Sequence, residues 1–422
     1  MLEKPAPTIL LFACDPGGAN ALLPLQEGLE KAGYNLLWFG KNQAFDLFSN
    51  AGIPVEYLSV SSASAVHSNA VAHSLHQLLI ATTPQIVITG TSAEDDTEKK
   101  LWEACSQQNI PSVAILDSWV NYGIRFSAFP VSRMAEFEKN PELTYQPSRV
   151  FVMDEEAKRQ LCKIGIAKEK ITVTGQPYFQ KLRNTMTTER RRWARDYVRE
   201  LLKSNCPNSV EGSKQRDILV TFASQPLSQM YDIDYLGYSE KTIFSHCLEA
   251  LNEASQRLPE GSKITFLVWL HPKEVAEEET VHWFEEASHN FTSDRLSVCI
   301  GQKIITKSLT VWDLIVASDL VLGMTSMMLV ETYLLSRPFL SVQIGLDREN
   351  DFVLSQRGLG ESVLDSLTLV RKLSSILKDY DHFDSGHQLD SHLCQYDTAI
   401  ENVLNEVKEI ICSLTPTIQP PV

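Results

Sequence analysis

The stretch Ala317–Gly345, ASDLVLGMTSMMLVETYLLSRPFLSVQIG, decides how the chain is read. Leu320–Gly323 is a short apolar run of the kind a sheet buries on both faces. Thr325–Ser326 follows as a corner with two hydroxyls. The apolar pattern Ser326–Leu335 then predicts a helix, and Arg337–Pro338 ends it before a second apolar strand, Phe339–Ile344. Strand, helix and strand in this order make a βαβ unit with parallel strands. Glu331 stands out, because its neighbours are Met, Leu, Val, Thr and Tyr. N–H groups at a helix start, with the dipole behind them, suit a phosphate, and the corner hydroxyls add donors. A carboxylate on the same helix can accept hydrogen bonds from the vicinal hydroxyls of a ribose. The plainer alternative is that Thr325 only caps the helix and Glu331 only reaches solvent.

The same alternation runs on both sides of this unit. Thr8–Ala13, Asn35–Phe39, Gln85–Thr89, Ser112–Leu116, Arg149–Met153 and Lys170–Thr174 read as buried strands, with helices near Ala19–Ala32, Ala65–Ala81 and Glu94–Gln107. The pattern restarts with strands at Ile218–Phe222 and Ile264–Leu270 and helices at Glu240–Arg257, Lys273–Ala287 and Leu309–Ala317. A last amphipathic helix spans Asp397–Cys412. The expectation is an α/β chain of two Rossmann-like domains facing a cleft, with ligands outside the carboxyl ends of the strands. Its parts are an N-terminal domain over 1–185, a linker helix and loop over 186–216, a C-terminal nucleotide domain over 217–390, and a helix and tail over 391–422. No sequence repeat relates the halves.

Composition narrows the function. At 422 residues the chain is too long for one ordinary core. A net charge of -15, with acids spread throughout, argues against nucleic acid as a partner. No run approaches the roughly 18 apolar residues of a membrane span, and Thr8–Cys14 reads as a first strand rather than a signal peptide. Eight scattered cysteines without a C-x-x-C pair suit a reduced, cytosolic setting. The basic helix after Met186, with Arg190–Arg192, Arg195, Arg199 and Lys203, reads as a solvated face. Contact of that face, through Trp193, with anionic lipid at the inner side of a membrane is the sharper alternative.

Four further segments carry candidate chemistry. In LVWLHPKE, a strand ends in His271–Pro272; an imidazole there could contact a phosphate or donate a proton. GTSAEDDTEKK places acids between a strand and a helix, where a general base would serve. Asp95 is the first choice, with Asp96 and Asp15 behind it. CDPGGANALLPL has Gly17–Gly18 in the first βα turn, where main chain can approach a ligand closely. TFASQPLS follows the first strand of the second half and offers Gln225.

Together these motifs resemble the GT-B glycosyltransferase superfamily. The Thr325–Ser326 corner, Glu331 and Arg337–Pro338 are similar to the donor-binding segment of GT-B transferases. His271–Pro272 with a later hydroxyl corner resembles the His-Pro elements of bacterial sialyl- and polysialyltransferases and of glycerol-phosphate polymerases of wall teichoic acid. Asp95 falls in register with the second Asp of the Gly-Ile-Asp-x-Pro-Asp element of lipid A disaccharide synthases, where Ser92 and Glu94 depart from the pattern. The Gly-rich first turn is similar to MurG-type transferases. Gly175–Gln176–Pro177 in VTGQPYFQKL resembles the Gly-x-Pro element that closes the first domain in epimerases and lipid A disaccharide synthases.

The resemblance implies a metal-independent glycosyltransferase, inverting, that needs no cofactor. It would move a sugar from a nucleotide-sugar donor to a surface-polysaccharide or glycolipid acceptor. Gly17, Gly18, Gln225, His271, Pro272, Thr325, Ser326 and Glu331 would hold the donor, and Asp95 would take the acceptor's proton. Three rivals remain: a CDP-alcohol glycerophosphotransferase, a UDP-N-acetylglucosamine 2-epimerase, and a nucleotide- or partner-binding module without catalysis. The epimerases carry His-Arg-x-Glu-Asn after the first strand of the second domain, where this chain has Ser224–Gln225–Pro226–Leu227.

Other signals are set aside. Asp232-Ile-Asp234 is a chance D-x-D in an acidic chain. His67, His73 and His76, and likewise His382, His387 and His392, lack the third ligand or H-e-x-x-H frame of a zinc site. Asp117 and Arg125 follow a strand and suit either an acceptor contact or a loop cap.

Overall fold

The computed structural model describes residues 6–58, 65–205, 217–232, 234–291, 293–304, 309–378 and 397–414. By contact the chain divides into two units: Met1–Lys181 with Asp390–Val422, and Leu182–Leu389. Among the described residues the first unit holds seven strands: β1 (Thr8–Ala13), β2 (Asn35–Gly40), β3 (Val55–Tyr57), β4 (Ile86–Thr89), β5 (Ser112–Ile115), β6 (Arg149–Val152) and β7 (Ile171–Val173). All pair in parallel, in the order β3-β2-β1-β4-β5-β6-β7. The second unit holds β8 (Asp217–Ala223), β9 (Lys263–Trp269), β10 (Leu296–Ile300), β11 (Leu320–Gly323), β12 (Phe339–Val342) and β13 (Ser362–Val363). They too are parallel, in the order β10-β9-β8-β11-β12-β13.

Each unit is therefore a doubly wound α/β sheet, as expected, and each has a topological switch point. In the first it lies between β1 and β4, in the second between β8 and β11. At such a point the connecting helices leave to opposite faces and open a crevice at the carboxyl ends of the two strands.

The central strands show why the apolar runs are unbroken. Ile9, Leu11 and Ala13 of β1 enter one core, with Leu22, Leu25 and Leu29. Leu10 and Phe12, with Cys14 just beyond the strand, enter a second core with Leu75, Leu79 and Leu101. Side chains alternate across a strand, so a sheet covered on both faces needs apolar residues at every position. The three strands with no counterpart in the sequence reading, β3, β10 and β13, all lie at sheet edges. β3 and β13 have only three and two residues, and Ser297 interrupts the apolar residues of β10. Pro24 breaks the expected Ala19–Ala32 helix into Pro16–Leu22, a 3₁₀ turn and Gln26–Lys31.

Two segments behave differently from their reading. The Arg-rich helix, Thr188–Asn205, is packed into the second unit rather than standing as a solvated connector. It lies against the helix Val311–Ala317 and buries Ala194, Val198 and Leu202. Arg190 donates to both oxygens of the fully buried Asp313, at 2.7 and 2.5 Å. Arg199 reaches the buried Asp319 at 3.0 Å, and Arg191 donates to the Leu335 carbonyl at 2.8 Å. Two of the six basic residues, Arg190 and Arg199, are thus paired with acids of their own unit. Trp193 is 40% exposed and stacks on Tyr197, with the Arg190 guanidinium 4.0 Å from its ring centre. The C-terminal helix, Ala399–Leu414, belongs to the first unit. It sends Val403 and Val407 into the β1 core, and its Asn402 donates to the Thr174 carbonyl.

No helix among the described residues is long and apolar enough to cross a membrane. Cys14, Cys105, Cys162, Cys247 and Cys412 are free thiols, while Cys299 is disulfide-bonded, an exception to the expected reduced set.

Candidate functional site

The candidate donor residues meet at the carboxyl ends of adjacent strands in the second unit. β8 ends into Ser224–Gln225, β9 into His271, and β11 into Thr325–Ser326. Gln225 bridges the switch point: its Oε1 accepts from the Thr325 N–H at 2.8 Å, and its Nε2 lies 3.4 Å from the Thr325 hydroxyl. The Ser326 hydroxyl caps the helix Met327–Leu334 by accepting from the Met328 N–H at 3.2 Å. The amide expected to greet an anion at position 325 is therefore occupied by Gln225. Any anion met by this helix start would have to be met from Ser326 onward. Glu331 sits on the same helix and is 7% exposed. It does not point into bulk solvent.

His271 caps the four-residue helix Pro272–Val275, and its Nδ1 accepts from the Lys273 N–H at 3.2 Å. That bond assigns the ring proton to Nε2. Burial, with Lys273 nearby, pushes the imidazole down to about 4. The ring is neutral at neutral pH, which suits a hydrogen bond donated to a phosphate. It does not suit the expected proton donation to a leaving nucleotide, which requires an imidazolium. Pro272 is exposed and opens the short helix.

In the first unit the candidates gather around the β1/β4 switch point. Asp15 follows β1, and its Oδ2 accepts from the Ser92 hydroxyl at 2.5 Å. Asp95 is 2.7 Å from Lys41 Nζ and accepts from the Thr97 N–H at 2.8 Å. Burial alone would raise its carboxyl; the bonds from Lys41 and Thr97 outweigh that and hold it below the ordinary value. Both of its oxygens are thus engaged, one by Lys41 and the other by the Thr97 N–H. Asp96 pairs with Lys100 at 2.7 Å. Asp15, half-buried at the switch point, is the best placed of the three.

Gly17 and Gly18 have packing reasons inside the unit. A Cβ on Gly17 would fall 1.7 Å from Asp117 Oδ2, and one on Gly90 would fall 2.6 Å from the Gly18 Cα. The glycines let the first helix approach the Asp117 carboxylate and the end of β4.

The structure also brings in residues that the sequence reading set aside or passed over. Asp117 is 2.8 Å from Arg125 and accepts from the Thr91 hydroxyl at 3.2 Å. Glu98 is buried between the Cys14 N–H, at 3.2 Å, and the Ser92 N–H. Burial and then Asp15 push its carboxyl up to about 8. One signal could have found it: Glu98, Leu101, Trp102 and Cys105 share the buried face of the helix Thr97–Gln107. Asp232 and Asp234 are exposed, as is His73. The side chain of His67, and His382, His387 and His392, lie outside the described residues.

Comparison with solved structures places this geometry. UDP-GlcNAc 2-epimerase from Methanocaldococcus jannaschii matches with a TM-score of 0.63 and 14% identity, over 95% of this chain and 99% of that one. The Neisseria meningitidis UDP-GlcNAc 2-epimerase bound to UDP-GlcNAc matches at 0.62 and 13%, over 95% and 100%. A glycosyltransferase from Rickettsia africae matches at 0.59 and 12%, over 98% and 100%. The fold is GT-B-like. No family model matches the sequence, and no curated protein does. The GT-B-like chain thus shares architecture with these enzymes at an identity too low to carry their chemistry across. In the second unit it keeps a corner of Gln225, His271 and Thr325–Ser326 at the place where this fold opens its crevice.

Proposed function

We propose that this chain binds a nucleotide-sugar through its second unit and transfers the sugar, without a metal, to a glycan or lipid-linked acceptor of surface-polysaccharide or glycolipid synthesis. What supports the reading is the convergence of Gln225 and Thr325–Ser326 at the β8/β11 switch point, with His271 on the next strand and the buried Glu331 on the helix that Ser326 caps. The helix start after Thr325 and the Nε2–H of His271 would meet the phosphate, and Glu331 the ribose hydroxyls. Pro272 would only fix the turn that presents His271. The acceptor hydroxyl would attack the anomeric carbon as the bond from that carbon to the phosphate oxygen breaks. The electron pair leaves on the nucleotide, and the acceptor's proton passes to a carboxylate base. Asp15 fits that role better than Asp95 or Asp96, which are held by Lys41 and Lys100. Catalysis would be stabilisation of the leaving phosphate plus general base action.

A thermal-shift screen with UDP, CMP, CDP, GDP and dTDP tests the first half. A ligand that binds only the folded state raises the melting temperature, and a flat response to all five contradicts the reading. His271→Ala is expected to weaken the best nucleotide about tenfold, the scale of one hydrogen bond to a charged group. Asp15→Ala is expected to keep nucleotide binding and lose transfer; retained transfer would remove Asp15 from the mechanism.

The second reading, UDP-GlcNAc 2-epimerase, is favoured by the solved structures of that name with the same fold. Against it stands Ser224–Leu227 where those enzymes carry a His-Arg-x-Glu-Asn element. Incubation with UDP-GlcNAc, followed by NMR, separates the two. Appearance of the C2 epimer without acceptor establishes the epimerase; UDP release that depends on acceptor establishes the transferase.

A further inference from the structure

Glu274 is fully buried just past the end of β9, and each of its oxygens holds a different part of the nucleotide corner. Oε1 accepts from the Ser224 hydroxyl at 2.7 Å, and Oε2 accepts from the His271 N–H at 2.6 Å. Ser224 is the first residue beyond β8, and its neighbour Gln225 reaches across to the Thr325 N–H at 2.8 Å. One carboxylate thereby joins the ends of β8 and β9, and Gln225 extends the tie to β11. The rest of the Ser224–Met230 loop is fastened in the same manner. Glu240 accepts from the Ser228 N–H at 3.0 Å and from its hydroxyl, and Glu277 accepts from Gln229 at 2.7 Å.

A fully buried acid is costly to desolvate, and a turn that needed only to be filled would use an apolar side chain. The expense has a purpose if the two bonds set the orientation of what they hold. The His271 N–H bond fixes the main chain that carries the imidazole. The Ser224 bond fixes the residue beside Gln225. Burial raises the Glu274 carboxyl to about 7, against the pull of Ser224 and His271.

We infer that Glu274 is a positioning residue for nucleotide binding: without touching the ligand, it sets His271 and the Gln225–Thr325 bridge in the geometry that grips the phosphate. This rests on the reading of the corner given above, and the test separates the two. Affinities for UDP and CMP are measured for the wild type, His271→Ala, Glu274→Gln and the double variant. The amide of Glu274→Gln keeps the shape, removes the charge from both bonds and can hold Ser224 only by reversing the direction of that bond. It is expected to weaken the better nucleotide about tenfold, the scale of one charge-assisted hydrogen bond. The double variant is expected to lose clearly less than the product of the two single losses, because both act through the imidazole.

A merely structural role would lower the melting temperature yet leave the two binding losses multiplicative, and that result overturns the inference. Unchanged affinity in Glu274→Gln, with His271→Ala weakened, also overturns it while leaving the nucleotide corner in place. Binding of neither nucleotide by the wild type overturns both. If Glu274→Gln does not fold, Ser224→Ala cuts the same tie from its other end. It is expected to weaken binding about threefold, the scale of a neutral hydrogen bond, and unchanged affinity there overturns the inference as well.

Discussion

Raising the pH from about 5 to about 8 is expected to destabilise both units, the first more than the second. Glu98 has its folded value pushed up to about 8 by burial, and Glu274 to about 7, each from an ordinary 4.5. Over the window between those values the folded chain holds a proton that the unfolded chain has lost. The proton therefore favours the folded state below the ordinary value, and that contribution disappears as pH rises through the folded value. At 1.36 kcal/mol per pH unit the loss is at most about 5 kcal/mol for Glu98 and about 3 kcal/mol for Glu274. Lys99, pushed down to about 8 by burial, works in the opposite direction only above that pH, so the fall is steepest before it. Urea midpoints at intervals across the window give the slope. Glu98→Gln cannot ionise, so its first unit is expected to start less stable at low pH and to show a nearly flat profile. Parallel slopes in wild type and variant would show that Glu98 is not the group that titrates.

Asp319→Ala is expected to cost the second unit about 3 kcal/mol, the lower end of the range for breaking a buried pair from one side. Asp319 is 3% exposed and accepts from Arg199 at 3.0 Å and from the Leu219 N–H at 2.8 Å, with Arg337 at 3.8 Å. Removing the carboxylate strands the buried Leu219 N–H and takes a negative charge from beside Arg337, which keeps its bonds to the Ser318 carbonyl. The reverse cut is much milder. Arg199 is about one-third exposed, so Arg199→Ala is expected to cost less than about 1 kcal/mol, because water takes up part of the lost interaction. Denaturant unfolding of the second unit measures both. Equal losses from the two ends would contradict the assignment of Asp319 as the buried hub that seats the Arg-rich helix.

The strands that carry the site were legible because they are central. Thr8–Ala13 and Leu320–Gly323 keep the boundaries that their apolar runs predict. A parallel sheet covered on both faces forces such runs, and polar punctuation marks their ends. The edge strands β3 and β13 are too short to make a run, and Ser297 breaks that of β10. The Thr325–Ser326 corner and Glu331 were visible because a hydroxyl pair and an acid are out of place in an apolar helix. The partner of the Thr325 amide was not visible. Gln225 lies 100 residues away, and only the pairing of β8 with β11 brings it there.

The contact between Asp95 and Lys41 was hidden for a similar reason. In GTSAEDDTEKK four acids lie within five residues, and sequence alone does not say which one meets Lys41, far away at the end of β2. Glu274 was legible in principle, since His271-x-x-Glu274 has the spacing of a capping box, yet that spacing announces a helix start rather than a tie between strands. The Arg-rich helix was read as solvated because a charged face usually is. Asp313 and Asp319, the buried acids that Arg190 and Arg199 reach, are 123 and 120 residues beyond their partners.

The most direct measurement of the central claim is the affinity of wild type and Glu331→Ala for UDP and for 2′-deoxy-UDP. If the carboxylate at 331 receives the vicinal ribose hydroxyls while the corner beside Gln225 receives the phosphate, the wild type binds UDP about tenfold more tightly than its deoxy analogue, and the variant binds the two alike. Equal affinities in the wild type, or a preference that survives the substitution, would contradict it.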